Sequence, residues 1–344
     1  MSDQVQLPPN YFYHRLSNGI EMIGQYMPGL SSITFGLQFD AAIIHEPEEK
    51  AGLAHLFEYM LFQGTKDKDA RALNEAFESL GARKGINTGW EIAQIMAQIV
   101  NTKFDDTLAL IGELVLTSTF PKDELEQMRS IILQEIRRRD DEPMSRISDL
   151  VRATFYQGTA LARPSLGTTE SVQQLQRYDL RQFWKERYQP DNMLFAIAGK
   201  FDWDHVVKRV EELFGSWQGQ AAPSPEQRPV PTPRIALEHQ DGKQEHIALM
   251  VPFANYTDPD YYPSMVVSEV LGGNMASRLF VEVREKRGLV YSVSASQMTN
   301  KHIGALRIYA GTTPEQAHEC LEVIVNELRK MEQEGITADE LERA

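Results

Sequence analysis

The order of strand-like and helix-like segments occurs twice in this chain, and this duplication constrains the fold most. Each copy begins with a strand-like alternation, at 33–44 and at 246–254. Each continues with an apolar helical segment, another strand and a long amphipathic helix, and then starts an acidic helix. A unit that recurs in the same order indicates homologous domains. We therefore predict an α+β protein of two homologous α/β sandwich domains, each a mostly antiparallel sheet covered by helices.

A proline-rich segment separates the two copies. Residues 219–234 read GQAAPSPEQRPVPTPR, and proline neither donates to a β-ladder nor favours helix in the residue before it. The sequence therefore predicts domains at 1–218 and 235–344, joined by an extended linker at 219–234. In the second copy the last helix starts only at Thr337, so we expect this domain to be truncated.

Composition argues against several classes of protein. The 344 residues carry a formal net charge of −14, whereas nucleic-acid binding needs clustered Lys and Arg. No apolar run approaches the roughly 20 residues of a membrane helix, and the N-terminus lacks the regions of a signal peptide. We therefore expect a bacterial, cytoplasmic protein without nucleic-acid or membrane partners. The single cysteine, Cys320, excludes an intrachain disulfide and a cysteine-based zinc cage.

The segment 52–65, GLAHLFEYMLFQGT, is the chemically informative one. His55, Glu58 and Tyr59 stand at i, i+3 and i+4, so on a helix they share one face. In the inverted zincin motif H-x-x-E-H, this face supplies two histidine ligands of zinc and a glutamate that acts as general base. Here a tyrosine stands where the second histidine would be.

These residues resemble the pitrilysin/insulinase family of zinc metallopeptidases, in particular its processing-peptidase branch, at nearly every position except Tyr59. The resemblance implies a third ligand at Glu135, the last residue of MRSIILQE, although Met128 replaces an acidic residue of the family pattern. It also implies a clamshell around an extended peptide. Asn87, in the similar sequence GIN of 85–87, is implied as a substrate-binding residue.

The resemblance covers residues from about 12 to 344 and has one further departure. Similar segments are RPSLGTTE of 163–170 and YQPDNM of 188–193, which runs on to Gly199. Within 158–164, GTALARP, the family's His-Pro-Tyr-Gly before Arg-Pro is missing.

The second half keeps the family's other signature intact. Residues 279–291, LFVEVREKRGLVY, resemble its L-F-x-x-[LV]-R-E-x-x-G-L-x-Y segment. The resemblance implies that Arg284 and Tyr291 reach the substrate beside the zinc. A fixed cation and a phenol donor there can hold a substrate carbonyl and stabilise developing oxyanion charge. The alternative is structural: Arg284 forms an ion pair at a helix end and Tyr291 packs at the start of a strand.

Tyr59 leaves three interpretations of the metal site open. Zinc binding is weak or absent, because a phenol has a pKa near 10 and reaches farther from the backbone than an imidazole. Alternatively, Tyr59 is a working ligand beside His55 and Glu135, or it is an engineered substitution. Without a metal, we expect His55 to hydrogen-bond Glu58, Glu135 or the tyrosine hydroxyl, since buried polar groups normally pair.

A whole arginine–tyrosine motif beside a broken metal motif favours a non-catalytic, substrate-binding subunit of a pitrilysin-type zinc metallopeptidase. Such a subunit would supply Arg284 and Tyr291 to a homologous partner with an intact H-x-x-E-H, or pair with itself. It would bind an extended peptide as an added strand. Two alternatives stay open: an active zinc endopeptidase with Glu58 as general base and Tyr59 as a ligand, and a structural scaffold or peptide-binding protein.

Overall fold

The computed structural model describes residues 7–225 and 234–344. In it the chain divides into two compact units. The first unit comprises the described residues up to Ile136 together with Ser165–Pro225, and the second comprises Arg137–Pro164 together with the described residues after Pro225. The strands are β1 (Tyr11–Arg15), β2 (Glu21–Tyr26), β3 (Ser32–Phe39), β4 (Arg83–Thr88), β5 (Ala93–Val100), β6 (Met193–Gly199), β7 (Glu245–Phe253), β8 (Ser292–Thr299) and β9 (Gly304–Thr312).

The helices follow the amphipathic segments of the sequence. They are α1 (Leu53–Leu61), α2 (Ala70–Ser79), α3 (Phe104–Thr117), α4 (Lys122–Asp141), α5 (Pro143–Phe155), α6 (Thr169–Gln174), α7 (Arg177–Arg187), α8 (Trp203–Phe214), α9 (Tyr261–Gly272), α10 (Ala317–Glu334) and α11 (Ala338–Arg343), with a π-helical turn at Phe280–Glu285.

The two sheets repeat one strand arrangement. The first sheet has the order β1-β2-β6-β3-β5-β4 and the second has the order β7-β9-β8. Neighbours are antiparallel throughout, except that β2 and β6 are parallel. The part β3-β5-β4 of the first sheet therefore matches β7-β9-β8 in both sequence order and direction. The predicted α+β class with mostly antiparallel sheets is confirmed, and so is the duplicated order of elements.

The compact units divide the chain differently from the domains predicted at 1–218 and 235–344. Residues 137–164 group with the second unit, because α5 packs on β7. A sequence repeat identifies copies of a segment, whereas packing decides which segments form a common core. The two divisions differ for this reason.

One local prediction needs correction. The strand predicted over 33–44 ends at Phe39, and Ile43–His45 forms a 3-10 turn. Residues 41–44 are all buried, and a short apolar run that is buried on every side has no periodicity that separates strand from turn. The predicted linker begins with residues that contact the first unit. Arg187 donates to the carbonyl of Ala222, so this part of the linker packs on the first unit, while 226–233 lie outside the described residues.

Buried aromatic rings hold α1 on the first sheet. Phe57 of α1 stacks on Tyr188 with ring centroids 4.6 Å apart, and Tyr188 lies 4.5 Å from Phe39 of β3. The apolar positions of α1 recur three and four residues apart and are buried, whereas His55, Glu58 and Tyr59 lie on its partly exposed side. The core therefore fixes the orientation of the polar face.

The second unit has its own core between sheet and helix. It includes Leu271 of α9, Val283, Ile308 of β9 and Ile324 of α10. Cys320 is fully buried in this core, and burial raises the pKa of its thiol to about 11. The single cysteine is therefore a packing residue that holds its proton.

A close glycine contact sets the position at which α1 begins. Gly52 and Gly167 both have positive φ, at 91° and 74°. A Cβ on Gly167 would lie 2.3 Å from the carbonyl oxygen of Ala51, and a Cβ on Gly52 would lie 2.6 Å from that of Leu166. Only glycine fits at either position, so the loop before α6 and the start of α1 are locked together.

We predict that Gly167→Ala lowers the free energy of unfolding of the first unit by at least about 2 kcal/mol, from combined backbone strain and overlap with Ala51. Gly81→Ala is the matched control, because Gly81 also has positive φ but open space around it. It should lose only about 1 kcal/mol. Urea unfolding followed by circular dichroism measures both, and equal losses would contradict the close-packing explanation.

Candidate functional site

The start of α1 is held by a buried carboxylate. Glu46 accepts hydrogen bonds from the backbone N–H groups of Gly52 (3.2 Å) and Ala54 (2.7 Å). Gly52, as the residue before the helix, has no side chain that could do this. A carboxylate at a helix N-terminus satisfies free N–H groups and interacts favourably with the helix dipole. Sequence analysis missed Glu46, although an acidic residue shortly before a helix start is a usable signal.

Four of the predicted site residues lie together between α1 and α4. The Tyr59 hydroxyl donates to Glu135 Oε1 at 2.6 Å, and His55 Nε2 donates to Glu135 Oε2 at 3.0 Å. His55 Nδ1 lies 3.6 Å from Glu58 Oε2. The polar cluster that we predicted for a site without metal is therefore present, with Glu135 at its centre.

Glu58 is held by strand β4. Its Oε2 accepts the backbone N–H of Thr88 at 3.1 Å, which orients the carboxylate toward His55. Sequence reasoning missed Thr88, because a backbone donor leaves no trace in the residue type. Asn87, the predicted substrate-binding residue, precedes Thr88 in the sequence and is exposed on β4.

The electrostatics of the cluster keep its protons in place. Burial disfavours the charged form of His55, but the interactions with the carboxylates of Glu58 and Glu135 outweigh it and raise the pKa of His55. For Tyr59, burial, the hydrogen bond to Glu135 and repulsion by the nearby carboxylates all act in one direction and raise its pKa to about 12. The Tyr59 phenol therefore holds its proton at neutral pH.

The residues present do not fit a three-ligand zinc centre. Such a centre needs three protein ligands at about 2.0–2.2 Å with open lone pairs. Tyr59 instead presents a proton, and it places that proton on Glu135, whose other oxygen is bound by His55. Across residues 7–225 and 234–344, no group of three or more His, Cys, Asp or Glu side chains is arranged to hold a metal ion. Instead, the hydrogen bond from Tyr59 to Glu135 joins α1 to α4.

The arginine–tyrosine pair lies in the second unit and is assembled by aromatic contact. The Arg284 guanidinium lies 5.2 Å from the centroid of Tyr291 and 4.8 Å from that of Phe280. Among the described residues no carboxylate forms an ion pair with Arg284. The structural alternative, in which Arg284 forms an ion pair at a helix end, is therefore wrong. Tyr291 is 81% exposed. Its hydroxyl and the stacked cation both remain available to a ligand.

Phe280 is a further residue of this site that sequence analysis did not assign a role. It lies four residues before Arg284 in the π-helical turn, a spacing that places the two side chains on one side of the turn. Its ring is a second aromatic contact of the guanidinium beside that of Tyr291. The F-x-x-x-R spacing was the available signal.

We predict that Tyr59→His increases the affinity for zinc by about a hundredfold or more, because a third protein ligand is worth on the order of 3 kcal/mol. Tyr59→Phe is the control: it removes the hydroxyl without adding a ligand. Metal content after dialysis against zinc, together with competition by a chromogenic chelator, measures the difference. If wild type and Tyr59→Phe bind one zinc as tightly as Tyr59→His, the conclusion that this donor set does not fit zinc is wrong.

The comparisons with known proteins match two successive parts of the chain to two family models. Residues 22–169 match the family model described as insulinase (peptidase family M16), and residues 174–344 match the model described as the peptidase M16 inactive domain. Within the described residues, no helix has the length and apolar character to cross a membrane.

Relatives and solved structures extend the match over nearly the whole chain. The uncharacterized zinc protease YmxG of Bacillus subtilis is 30% identical over 327 residues, covering 95% of this chain and 80% of its own. A zinc protease of Streptomyces coelicolor is 31% identical over 337 residues, covering 96% of this chain and 73% of its own. A crystal structure of a peptidase M16 inactive domain from Pseudomonas fluorescens superimposes with a TM-score of 0.92 at 24% identity, covering 97% of this chain and 82% of that one. The chain therefore belongs to the insulinase family, peptidase family M16, and resembles its zinc proteases with a second half of the inactive-domain type.

Proposed function

We propose that this protein is the non-catalytic, substrate-binding subunit of an M16-type zinc metallopeptidase. The observation that carries the proposal is the hydrogen bond from Tyr59 to Glu135 at 2.6 Å. Through this bond Tyr59, at one ligand position, occupies a carboxylate oxygen of Glu135, at another ligand position. A chain with this hydrogen bond between two ligand positions is suited to work beside a homologous subunit that has an intact H-x-x-E-H. It is less suited to hydrolyse peptides alone.

The contacts of Arg284 and the exposure of Tyr291 support a contribution of both residues to a site shared with a partner subunit. A cation that contacts two aromatic rings costs little to reorganise, because these contacts already restrict its position before substrate arrives. The exposed Tyr291 hydroxyl is a second donor near it. Together they would hold a peptide carbonyl for a partner's reacting group.

Strand β4 supports peptide binding by strand addition. It is the last strand in the order of the first sheet, so among the described strands its outer edge pairs with none. Asn87 is exposed on this strand, and an extended peptide could pair with the outer N–H and C=O groups. Glu58, tied to Thr88 of the same strand, lies next to this edge.

A second candidate is an active zinc endopeptidase that uses Tyr59 as a ligand. The names of the relatives as zinc proteases favour it, whereas the hydrogen bond from the phenol to Glu135 opposes it. The proposed setting is a bacterial cell, since the matched relatives are bacterial, and the cytoplasm stays a prediction from the sequence.

The decisive experiment measures zinc content and cleavage of a fluorogenic peptide for this chain alone, for an intact homologue alone, and for their mixture. We expect negligible activity from this chain alone and a large increase in the mixture. Arg284→Ala should lower kcat of the mixture by about a hundredfold, the usual effect of removing a donor that stabilises an oxyanion.

Arg287→Ala is the matched control, because Arg287 lies three residues away but pairs with Glu282 at 2.6 Å on the surface. It should leave kcat of the mixture unchanged. Chelator-sensitive cleavage by this chain alone, with one zinc per chain, would instead establish the second candidate. An inert mixture in which this chain binds no peptide would favour a structural scaffold.

A further inference from the structure

Strand β4 carries a cation, Lys84, to which no role has been assigned. Its side chain is half-buried, and its Nζ donates to Asn74 Oδ1 of α2 at 2.9 Å. The same Nζ lies 5.1 Å from the ring centroid of Phe62 and 5.3 Å from that of Phe77. The faces of aromatic rings attract a cation. These contacts therefore hold the ammonium in one place next to the edge of the first sheet.

The Lys84 ammonium has no counter-charge in contact with it. Its hydrogen-bond acceptor, Asn74, is uncharged, and among the described residues no carboxylate forms an ion pair with Lys84. Burial lowers the pKa of Lys84, and the attraction of Glu78 offsets only part of this effect. An ammonium has three N–H donors, so it can bind a further acceptor besides Asn74. A carboxylate placed beside Lys84 would supply the missing charge.

The hairpin between β4 and β5 decides which backbone groups of β4 point away from the sheet. The N–H of Gly89 donates to the carbonyl of Ile92 at 2.8 Å, just beyond the last paired residues of the two strands. Hydrogen-bonded and non-hydrogen-bonded pairs alternate along an antiparallel ladder. Counted from Gly89, every second residue of β4 bonds to β5, and the residues between them direct N–H and C=O to the outer edge. The outward set is Lys84, Ile86 and Thr88.

The hydrogen bond between Thr88 and Glu58 supports this assignment. The Thr88 N–H donates to Glu58 Oε2 at 3.1 Å, as expected of an outward group. A strand added at this edge can therefore pair with Lys84 and Ile86 before it meets Glu58. A peptide residue directly opposite Lys84 would place its side chain on the same face of the sheet, with the two Cβ atoms about 5 Å apart. An acidic side chain at that position is within reach of the ammonium.

We propose that Lys84 selects peptides with an acidic side chain, by pairing with an Asp or Glu that lies opposite Lys84 when the peptide adds to β4. The proposal rests on the peptide-binding role argued above and names the substrate class. The outward backbone groups of β4 require an extended chain as the occupant, and the ammonium requires a carboxylate on it. Because the protein has a net charge of −14, its overall field repels acidic peptides, so a preference for one would come from a local cation.

The test uses the full-length protein and two ten-residue peptides with an uncharged BODIPY label. Both are rich in Thr and Ser, have blocked ends, and differ only in having Glu or Gln at one central position. The Glu side chain is then the single carboxylate, and the peptide is free to slide until this residue lies opposite Lys84. We expect the Glu peptide to bind about five- to tenfold more tightly, as a partly buried ion pair implies. Fluorescence anisotropy gives the two dissociation constants.

Lys84→Met should abolish the preference, because it removes the charge and keeps an apolar side chain on the two rings. Arg83→Met is the matched control. Arg83 is the exposed neighbour of Lys84 on β4 and points to the other face of the sheet. It removes the same charge and should preserve the preference. Lys84→Glu should reverse the selection, so that a third peptide with Lys at the central position binds more tightly than the Gln peptide. Equal melting temperatures would show that each variant folds.

The outcomes separate this proposal from the one on which it rests. Equal affinity of the wild type for the Glu and Gln peptides would overturn the role of Lys84 and leave peptide binding in place. A preference that survives Lys84→Met, or that Arg83→Met removes, would assign the selection to another cation. If Lys84→Met weakens both peptides equally, Lys84 only supports the fold of the edge. No binding of any peptide would overturn the peptide-binding role itself.

Discussion

The contact between Gly52 and Gly167 is the constraint on which the first unit depends. Two backbone segments approach within a distance that no Cβ permits, and this contact fixes where α1 begins. Glu46 then satisfies the first N–H groups of the helix, and Phe57 stacks on Tyr188 to set its rotation. The polar face of α1 is consequently presented in one orientation, and every property of the site follows from it.

One residue, Tyr59, changes the chemistry of the site while the helix that carries it keeps its orientation. Tyr59 occupies the position of a metal-ligating histidine, and its hydroxyl proton joins α1 to Glu135 of α4. A proton between two oxygens thus takes the structural role that a cation would have between the helices. The fold can therefore keep the arrangement of the site residues while their donor set differs from the one that a three-ligand zinc centre requires.

The second unit differs from the first in the chemical groups that it carries. Its strand order β7-β9-β8 repeats that of β3-β5-β4, but the helix that follows β7 carries Ser264, Ser268 and Gly272 toward the sheet and has no metal-site residues. The features retained there are Arg284 and Tyr291, organised by Phe280. Duplication supplied one scaffold twice, and the two copies hold different chemical groups.

The sequence by itself determined the α+β class, the duplicated element order and the family resemblance, because periodicity and motif spacing are local properties. It also indicated that Tyr59 was the anomalous position. Only the tertiary structure decided that the phenol bonds Glu135, that Thr88 orients Glu58, and that Arg284 stacks on rings instead of pairing with a carboxylate. It alone assigned residues 137–164 to the second unit. These features depend on contacts between residues far apart in the chain, and no local pattern encodes them.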